Sequence, residues 1–329
     1  MIRVALLSRW HVHANDYARE ANEHPDIVIQ AVWDEDKERG NQWAQELNVD
    51  FEENITTLLN RSDIDAVIVD TPTSMHTDVI LEAAKAKKHI FSEKVLALTE
   101  EDCSLIFESV KENQVSLMLS LPRLNDPSYL YAQDALDQGL LGDLTSIRCR
   151  LEHGGALATD ANPNGWLPAH FYDKETCGGG ALIDLGAHPI YLTNRLAGQV
   201  NDLYCQMNSI TNREVDDHST VLVNYASGAS GVIEAGFVAD KSPFLLELHG
   251  TKGSILVEDR SVRIRSSMLD HSDWHTPELP AQADSAMTQW IKHIQTGEQA
   301  QITEKDMLDL TRINQAAKQS AEEGRRISL

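Results

Sequence analysis

Asp184 and His188 stand four residues apart in Gly178-Gly179-Gly180-Ala181-Leu182-Ile183-Asp184-Leu185-Gly186-Ala187-His188-Pro189-Ile190. On one helix that spacing puts both side chains on a single face, within reach of each other. A carboxylate bonded to an imidazole fixes its tautomer and steadies the imidazolium formed when the ring takes a proton. The same spacing suits a capped or purely structural pair, and taken alone it leaves both readings open. The three glycines let the backbone come close to a ligand or to a neighbouring strand. Much earlier, Glu93 and Lys94 follow the apolar run His89–Phe91. A lysine held beside an acid can hydrogen-bond a reacting oxygen and favour negative charge on it.

Up to about residue 120, short apolar runs alternate with amphipathic stretches. Ile2–Leu7, Ile27–Val32, Ala66–Val69, His89–Phe91 and Val115–Leu119 read as strands buried on both faces. Asn15–His24, Asp36–Leu47, His76–Lys87 and Thr99–Asn113 read as the helices between them. Thr99 is a cap, and Glu100, Glu101 and Asp102 suit the helix N-terminus that follows it. Such alternation predicts a parallel sheet with right-handed crossovers, which binds ligands beyond the carboxyl ends of its strands.

The pattern changes after Pro122. Leu144–Glu152, Leu203–Ile210, Ser219–Tyr225, Gly231–Phe237, Phe244–His249 and Ser254–Glu258 are strand-like, several of them joined by short turns. They predict a largely antiparallel open sheet, with one face available to a partner subunit. Helices at Ala281–Gln295 and Thr303–Glu323 close the chain. The expected fold class is α/β. A Rossmann-type parallel sheet occupies residues 1–121, and an α/β substrate and oligomerisation domain occupies 122–329, its C-terminal helix free to pack back on the first domain.

The residues just past each strand are the ones to read. Ser8-Arg9-Trp10-His11-Val12-His13 follows the first strand and lacks the G-x-G-x-x-G that lets bare backbone approach a pyrophosphate. Asp34 follows the second strand, where an acid would bond the adenosine ribose. With Glu35 and Asp36 it also reads as a solvated acidic start to a helix, and Lys37 and Arg39 are close by.

Thr71-Pro72-Thr73-Ser74-Met75-His76 and Lys88-His89-Ile90-Phe91-Ser92-Glu93-Lys94 complete a pattern. Their order and spacing resemble the T-P-x-x-x-H and K-H-x-x-x-E-K-P stretches of the glucose–fructose oxidoreductase / inositol dehydrogenase (Gfo/Idh/MocA) family. Val95 stands where that family usually has proline, so φ is less fixed there. The Gly178–His188 stretch resembles the family's G-G-G-x-L-x-D-x-G-x-H pattern at every fixed position. The resemblance extends through Arg123, Gly139-Leu140-Leu141-Gly142 and Gly250-Thr251-Lys252-Gly253, across nearly the whole chain. It implies a dinucleotide held by Ser8, Trp10, His11, His13, Asp34, Thr71, Pro72, His76, Glu93 and Lys94. It also implies that Lys94, Asp184 and His188 act together as the catalytic groups. The first loop matches a G-x-A-H-x-H variant of the family in its two histidines. Without glycine, that loop must swing wider or present Ser8 and His11 to the phosphates.

His153, Trp166, His170 and Tyr172 lie in a Gly/Pro/Asn-rich loop before the glycines. Polar groups beside an aromatic platform suit a sugar, and the other reading is a covering loop around a buried tryptophan. With Arg123, the first three are the expected substrate contacts. A metal at His11-x-His13 lacks a third ligand nearby in sequence, and none is expected.

Composition narrows the partners. Lys and Arg number 28 against 51 Asp and Glu, a net charge of −23, which repels nucleic acid and anionic membranes. The longest stretch without Asp, Glu, Lys or Arg, His218 to Ile233, is broken by polar residues and spans no bilayer. Cys103, Cys149, Cys177 and Cys205 are scattered, as reduced thiols in a cytoplasmic protein would be. The expectation is an NAD-dependent dehydrogenase, with NADP less favoured beside three acids. It would oxidise a secondary alcohol of a sugar, cyclitol or polyol as a homodimer or homotetramer. The competing readings are glycoside cleavage or epimerisation with retained NAD, a non-catalytic NAD-binding regulator, and a metal-dependent isomerase using Asp184, His188 and His170.

Overall fold

The computed structural model describes residues 1–270 and 273–329. The chain divides into two compact units, Met1–Ser120 with Asp284–Thr311 and Leu121–Ala283 with Arg312–Leu329. Asp284–Thr311 lies within 122–329 by sequence, yet it groups with the first unit. The reason is packing: Met287 and Trp290 are fully buried, Trp290 sits 5.7 Å from Phe91 between ring centroids, and Ser285 bonds Glu20.

The first unit runs β1 (Ile2–Leu7), α1 (Ala14–Glu23), β2 (Ile27–Trp33), α2 (Lys37–Leu47), β3 (Asp50–Phe51), α3 (Ile55–Leu59). It continues β4 (Ala66–Val69), α4 (His76–Lys85), β5 (His89–Ser92), α5 (Glu100–Asn113), β6 (Leu117–Leu119). The strands pair in parallel in the order β3-β2-β1-β4-β5-β6. This is the expected Rossmann-type sheet. Val4 to Leu7 and Ala66 to Val69 have no exposed surface, as strands covered on both faces require. The chain reverses direction across the sheet between β1 and β4, the point where such folds take a ligand. The tiny β3 and α3 carry too little periodicity to have been foreseen. The last strand starts at Leu117 rather than Val115.

The second unit begins with α6 (Pro127–Asp137), β7 (Leu144–Glu152), α7 (Lys174–Cys177), α8 (Ala181–Asp184) and α9 (Ala187–Ala197). Five strands follow: β8 (Val200–Asn208), β9 (His218–Tyr225), β10 (Ser230–Gly236), β11 (Leu245–Gly250) and β12 (Gly253–Glu258). After β13 (Ser261–Ser266), α10 (Ala286–Thr296) belongs to the first unit, and α11 (Glu304–Glu323) and β14 (Ile327–Ser328) end the chain. The sheet order is β13-β12-β11-β7-β10-β9-β8-β14. Every neighbouring pair is antiparallel except β7 with β10. The expected open sheet is present, with two strands, β13 and β14, that the sequence reading passed over. β8 ends at Asn208 rather than Ile210 because Ile210 and Thr211 give their amides to the Asp217 carboxylate instead. Among the described residues, no helix is long and apolar enough to cross a membrane.

The glycine run has a packing cause. A Cβ on Gly180 would stand 1.9 Å from the carbonyl oxygen of Asp216. Asp216 also accepts the amides of Gly180 and Leu182 at 2.9 Å each, so it caps α8 from the β8–β9 connection. The backbone therefore comes close to a neighbouring segment. Gly180→Ala should destabilise by roughly 1–3 kcal/mol through overpacking. Gly179→Ala should be milder, since its Cβ would first meet Ile183 Cγ2 at 3.2 Å. Urea denaturation of the two variants checks the order.

Candidate active site

The first unit gathers its chemistry at the carboxyl ends of β1, β4 and β5. Glu93 and Lys94 leave β5 buried at 2% and 5% exposure, with Lys94 Nζ 3.4 Å from Glu93 Oε1. Tyr17 on α1 donates its hydroxyl to Glu93 Oε2, and His11 Nε2 lies 3.9 Å from Oε1. Burial raises the Glu93 carboxyl, but the charge of Lys94 and the Tyr17 hydroxyl work against it, and the carboxyl lies below its usual range. Burial lowers His11 well below its ordinary value, and burial with Glu93 raises Tyr17. Asp70, at the end of β4, is fully buried, and neither carboxylate oxygen has a hydrogen-bond partner. Burial and then Glu93 push its carboxyl well up.

His11, Asp70 and Glu93 each bring an atom capable of ligating a metal within 4.8 Å of the others. Two facts favour a cluster balanced by protons and the lysine. Lys94 already stands beside Glu93, and the His13 amide donates to His11 Nδ1 at 3.2 Å, placing the ring proton on Nε2. His13 turns to the surface and faces Asp16 at 3.2 Å.

The glycine-free loop bends as a glycine would: Ser8 holds φ at 75°. Its Ser8 and His11 side chains are turned inward. Ser8, Trp10 and His11 are buried, and the Ser8 hydroxyl accepts the Trp10 amide at 3.1 Å. His76 is buried too, with Nδ1 2.8 Å from the Val95 carbonyl and Nε2 3.2 Å from that of Thr71. It ties the end of β4 to the segment carrying Lys94, a positioning role. The Lys94–Val95 peptide is cis. Asp34 is buried under Arg39. The strand ends fit a dinucleotide in that the buried Thr71 hydroxyl has no hydrogen-bond partner.

In the second unit, Asp184 and His188 do not share a helix. α8 ends at Asp184 and α9 starts at Ala187, and Leu185 and Gly186 between them keep right-handed helical dihedrals. His188 Nδ1 lies 2.7 Å from Tyr191 Oη, which accepts the Arg123 amide at 3.1 Å. Tyr191 was missed, although i,i+3 spacing on a helix could have flagged it. The Arg123 guanidinium lies over Phe244 at 4.4 Å and faces Asp126 at 3.7 Å. His153 stacks on Phe237 at 5.3 Å and meets Trp166 at 4.6 Å between ring centroids, and Trp166 is 55% exposed. The loop therefore presents its tryptophan and buries Phe171 with Phe237. His170 packs on Phe171 at 5.1 Å. Burial lowers His153, and the charge of Asp184 acts against that.

A Rossmann sheet with a buried Lys–Glu pair at its strand ends defines a dinucleotide-dependent oxidoreductase. Comparison with known proteins makes this specific. The profile of an oxidoreductase family with an NAD-binding Rossmann fold, GFO/IDH/MocA, matches residues 11–121, and the GFO/IDH/MocA C-terminal domain matches residues 129–256. The chain belongs to this family and is an NAD-dependent oxidoreductase. It is 30% identical to scyllo-inositol 2-dehydrogenase (NAD(+)) of Bacillus subtilis over 71% of this chain and 67% of that one. It is 28% identical to levoglucosan dehydrogenase of Pseudarthrobacter phenanthrenivorans, over 67% of this chain and 63% of that relative. A levoglucosan dehydrogenase solved with NADH and levoglucosan shares the fold, with a TM-score of 0.84, 20% identity and 99% of each chain covered.

Asp70 gives a pH test. Its folded-state value lies above the ordinary 3.8, so folding favours the protonated form. Its contribution to stability is complete below the ordinary carboxylate range and declines as pH rises towards the folded-state value. Asp70→Asn cannot ionise, so its stability relative to the native chain should rise with pH across that interval. Thermal unfolding from acid to mildly alkaline pH measures this. A difference independent of pH would show that Asp70 ionises alike in folded and unfolded chains.

Proposed function

We propose that this protein oxidises a secondary alcohol on a sugar, cyclitol or related polyol, or runs the reverse, with Lys94, Asp184 and His188 handling the proton. The observation that carries the reading is the buried Lys94 beside Glu93, whose carboxyl is held ionised. A cation fixed that way at a strand end is pre-set to meet negative charge developing on a substrate oxygen. The names of the relatives support the substrate class, since they denote dehydrogenases of an anhydrosugar and an inositol.

In this reading Ser8 to His13, Thr71, Pro72 and the Glu93–Lys94 segment hold the dinucleotide, with His76 fixing the backbone behind them. When bound, NAD supplies the acceptor for the hydride that leaves the alcohol carbon. Lys94 hydrogen-bonds the alcohol oxygen. His188 takes the hydroxyl proton at Nε2, because Tyr191 holds Nδ1. Asp184 steadies the imidazolium. Arg123, His153, Trp166 and His170 line the sugar, with Trp166 offering a ring to its apolar face.

A cytoplasmic homodimer or homotetramer goes with this reading. Tyr204 and Leu222 are register partners on β8 and β9, 41% and 51% exposed, and such an apolar pair on an open sheet suits a partner subunit.

The test begins with an NADH-fluorescence screen against polyols and aldoses, and continues with variants on the best substrate. His188→Ala should lower kcat by roughly 10²–10⁴, the usual worth of a placed acid–base group, with NADH affinity kept. Asp184→Asn should act in the same direction, and the double variant should lose far less than the product of the two. Tyr191→Phe should fall between. Lys94→Ala should lower kcat and also weaken NADH binding. Unchanged turnover in both the Asp184 and His188 variants would make that pair structural.

A further inference from the structure

The carboxylate of Asp34, which sequence position assigns to the adenosine ribose, has no exposed surface. Its Oδ2 accepts the Arg9 amide at 2.8 Å and Arg39 Nε at 2.9 Å. Its Oδ1 accepts the Asp36 amide at 2.8 Å and Arg39 Nη2 at 2.6 Å. A carboxylate offers about four lone-pair sites, so no acceptor capacity is left for a ribose hydroxyl. Arg39 covers it and is itself 29% exposed. Its Nη2 also reaches Glu35 Oε1 at 2.5 Å and Ser8 Oγ at 3.3 Å. Beyond the end of β2, then, the outward group is a guanidinium.

We infer that Arg39, rather than Asp34, meets the 2′ side of the adenosine ribose and sets cofactor selectivity, so that the chain takes NADP as well as NAD. The inference rests on the dinucleotide reading above and goes beyond it. A carboxylate facing the ribose repels a 2′-phosphate by like charge, whereas this guanidinium attracts it and, with Nε and Nη2 given to Asp34 and Glu35, still has the Nη1 donors to offer. The same donors give a free hydroxyl only an ordinary hydrogen bond. Arg39 also serves Asp34 and Glu35, and those two charges temper its pull on a phosphate. The outcome of the opposing effects is comparable acceptance of both cofactors, not a preference for NADP. Lys37 and Arg9 do not add to it, because they are engaged by Glu53 and Glu46.

The experiment is equilibrium binding of NADH and NADPH to the full chain by nicotinamide fluorescence, at low and high salt, for the native protein, Arg39→Ala and Arg39→Lys. The native chain should bind both within about tenfold, with NADPH the more salt-sensitive. Arg39→Ala should weaken NADPH by roughly 10–100-fold, the worth of hydrogen bonds to a charged group. NADH should change by less than about threefold, or tighten as the Asp34 carboxylate becomes available. Arg39→Lys keeps the charge without the fork and should retain part of the NADPH binding. Circular dichroism confirms that each variant is folded, and Arg39→Lys stands alone if Arg39→Ala is not. NADH binding without NADPH binding, or an equal loss of both on substitution, overturns the inference and leaves the dinucleotide reading intact. Binding of neither cofactor sinks that reading, and the inference with it.

Discussion

Charge balance inside a dry cluster governs the first unit's strand ends. Asp70, Glu93 and Lys94 are all buried, two acids against one ammonium. His11 is neutral because burial lowers it, and Tyr17 is neutral because burial raises it. Were both acids ionised, one negative charge would be left uncompensated where water cannot reach it, and buried groups escape that penalty by changing protonation state. Asp70 is the one that keeps its proton, since its oxygens meet no donor, whereas Glu93 has Tyr17 and Lys94. The ion pair that remains is what the rest of the region is built to hold. His76 fixes the backbone behind Lys94 from the neighbouring strand end, and its ring, lowered by burial, donates from Nδ1 to the Val95 carbonyl.

The glycine-free loop shows how the same bend is reached with side chains. A non-glycine residue at positive φ carries a steric penalty of about 1 kcal/mol. Ser8 offsets it locally, with its hydroxyl bonded to the Trp10 amide and to Arg39. The amides of Arg9, His11 and His13 are likewise taken, by Asp34, Asp70 and the His11 ring. A glycine loop leaves its amides for a phosphate, whereas this one satisfies most of them internally. Phosphate contact in this protein therefore depends on exchanging weak side-chain bonds, such as the 3.1–3.2 Å contacts of Ser8 and His11, for stronger charge-assisted ones.

Periodicity made the sheet legible, because strands buried on both faces write continuous apolar runs such as Ala66 to Val69. Spacing located Thr71, His76, Glu93 and Lys94 at strand ends for the same reason. The partners of those residues were not legible. His76 bonds backbone carbonyls, which leave no trace in residue type, and nothing in the residue pattern singled out Asp70. The Asp184/His188 spacing says nothing about the turn at Leu185-Gly186 that separates α8 from α9. The carboxylate of Asp216 caps α8 from thirty-odd residues away in sequence, and Gly186 opens the following turn. β13, Ser-Val-Arg-Ile-Arg-Ser, alternates cleanly and was readable. Arg39 was visible as a nearby cation, but only side-chain geometry shows it lying over Asp34.

The second unit poses the matching question of which nitrogen of His188 carries the proton. Tyr191 Oη accepts from the Arg123 amide, and a phenol oxygen has a second lone pair. If it also accepts from His188 Nδ1–H, the ring is the tautomer whose Nε2 is a base. If instead the phenol donates to Nδ1, Nε2 carries the one proton of a neutral ring and is not available as a base. Burial raises the Tyr191 hydroxyl and keeps it neutral, so the contact is a switchable hydrogen bond rather than an ion pair. A reversible dehydrogenase needs both charge states of the Nδ1–H ring, the neutral base for oxidation and the imidazolium, protonated at both nitrogens, for reduction. A phenol oxygen accepting from Nδ1–H serves both directions, as a carboxylate there would, but it brings no charge to steady the imidazolium, a part the proposed relay gives to Asp184.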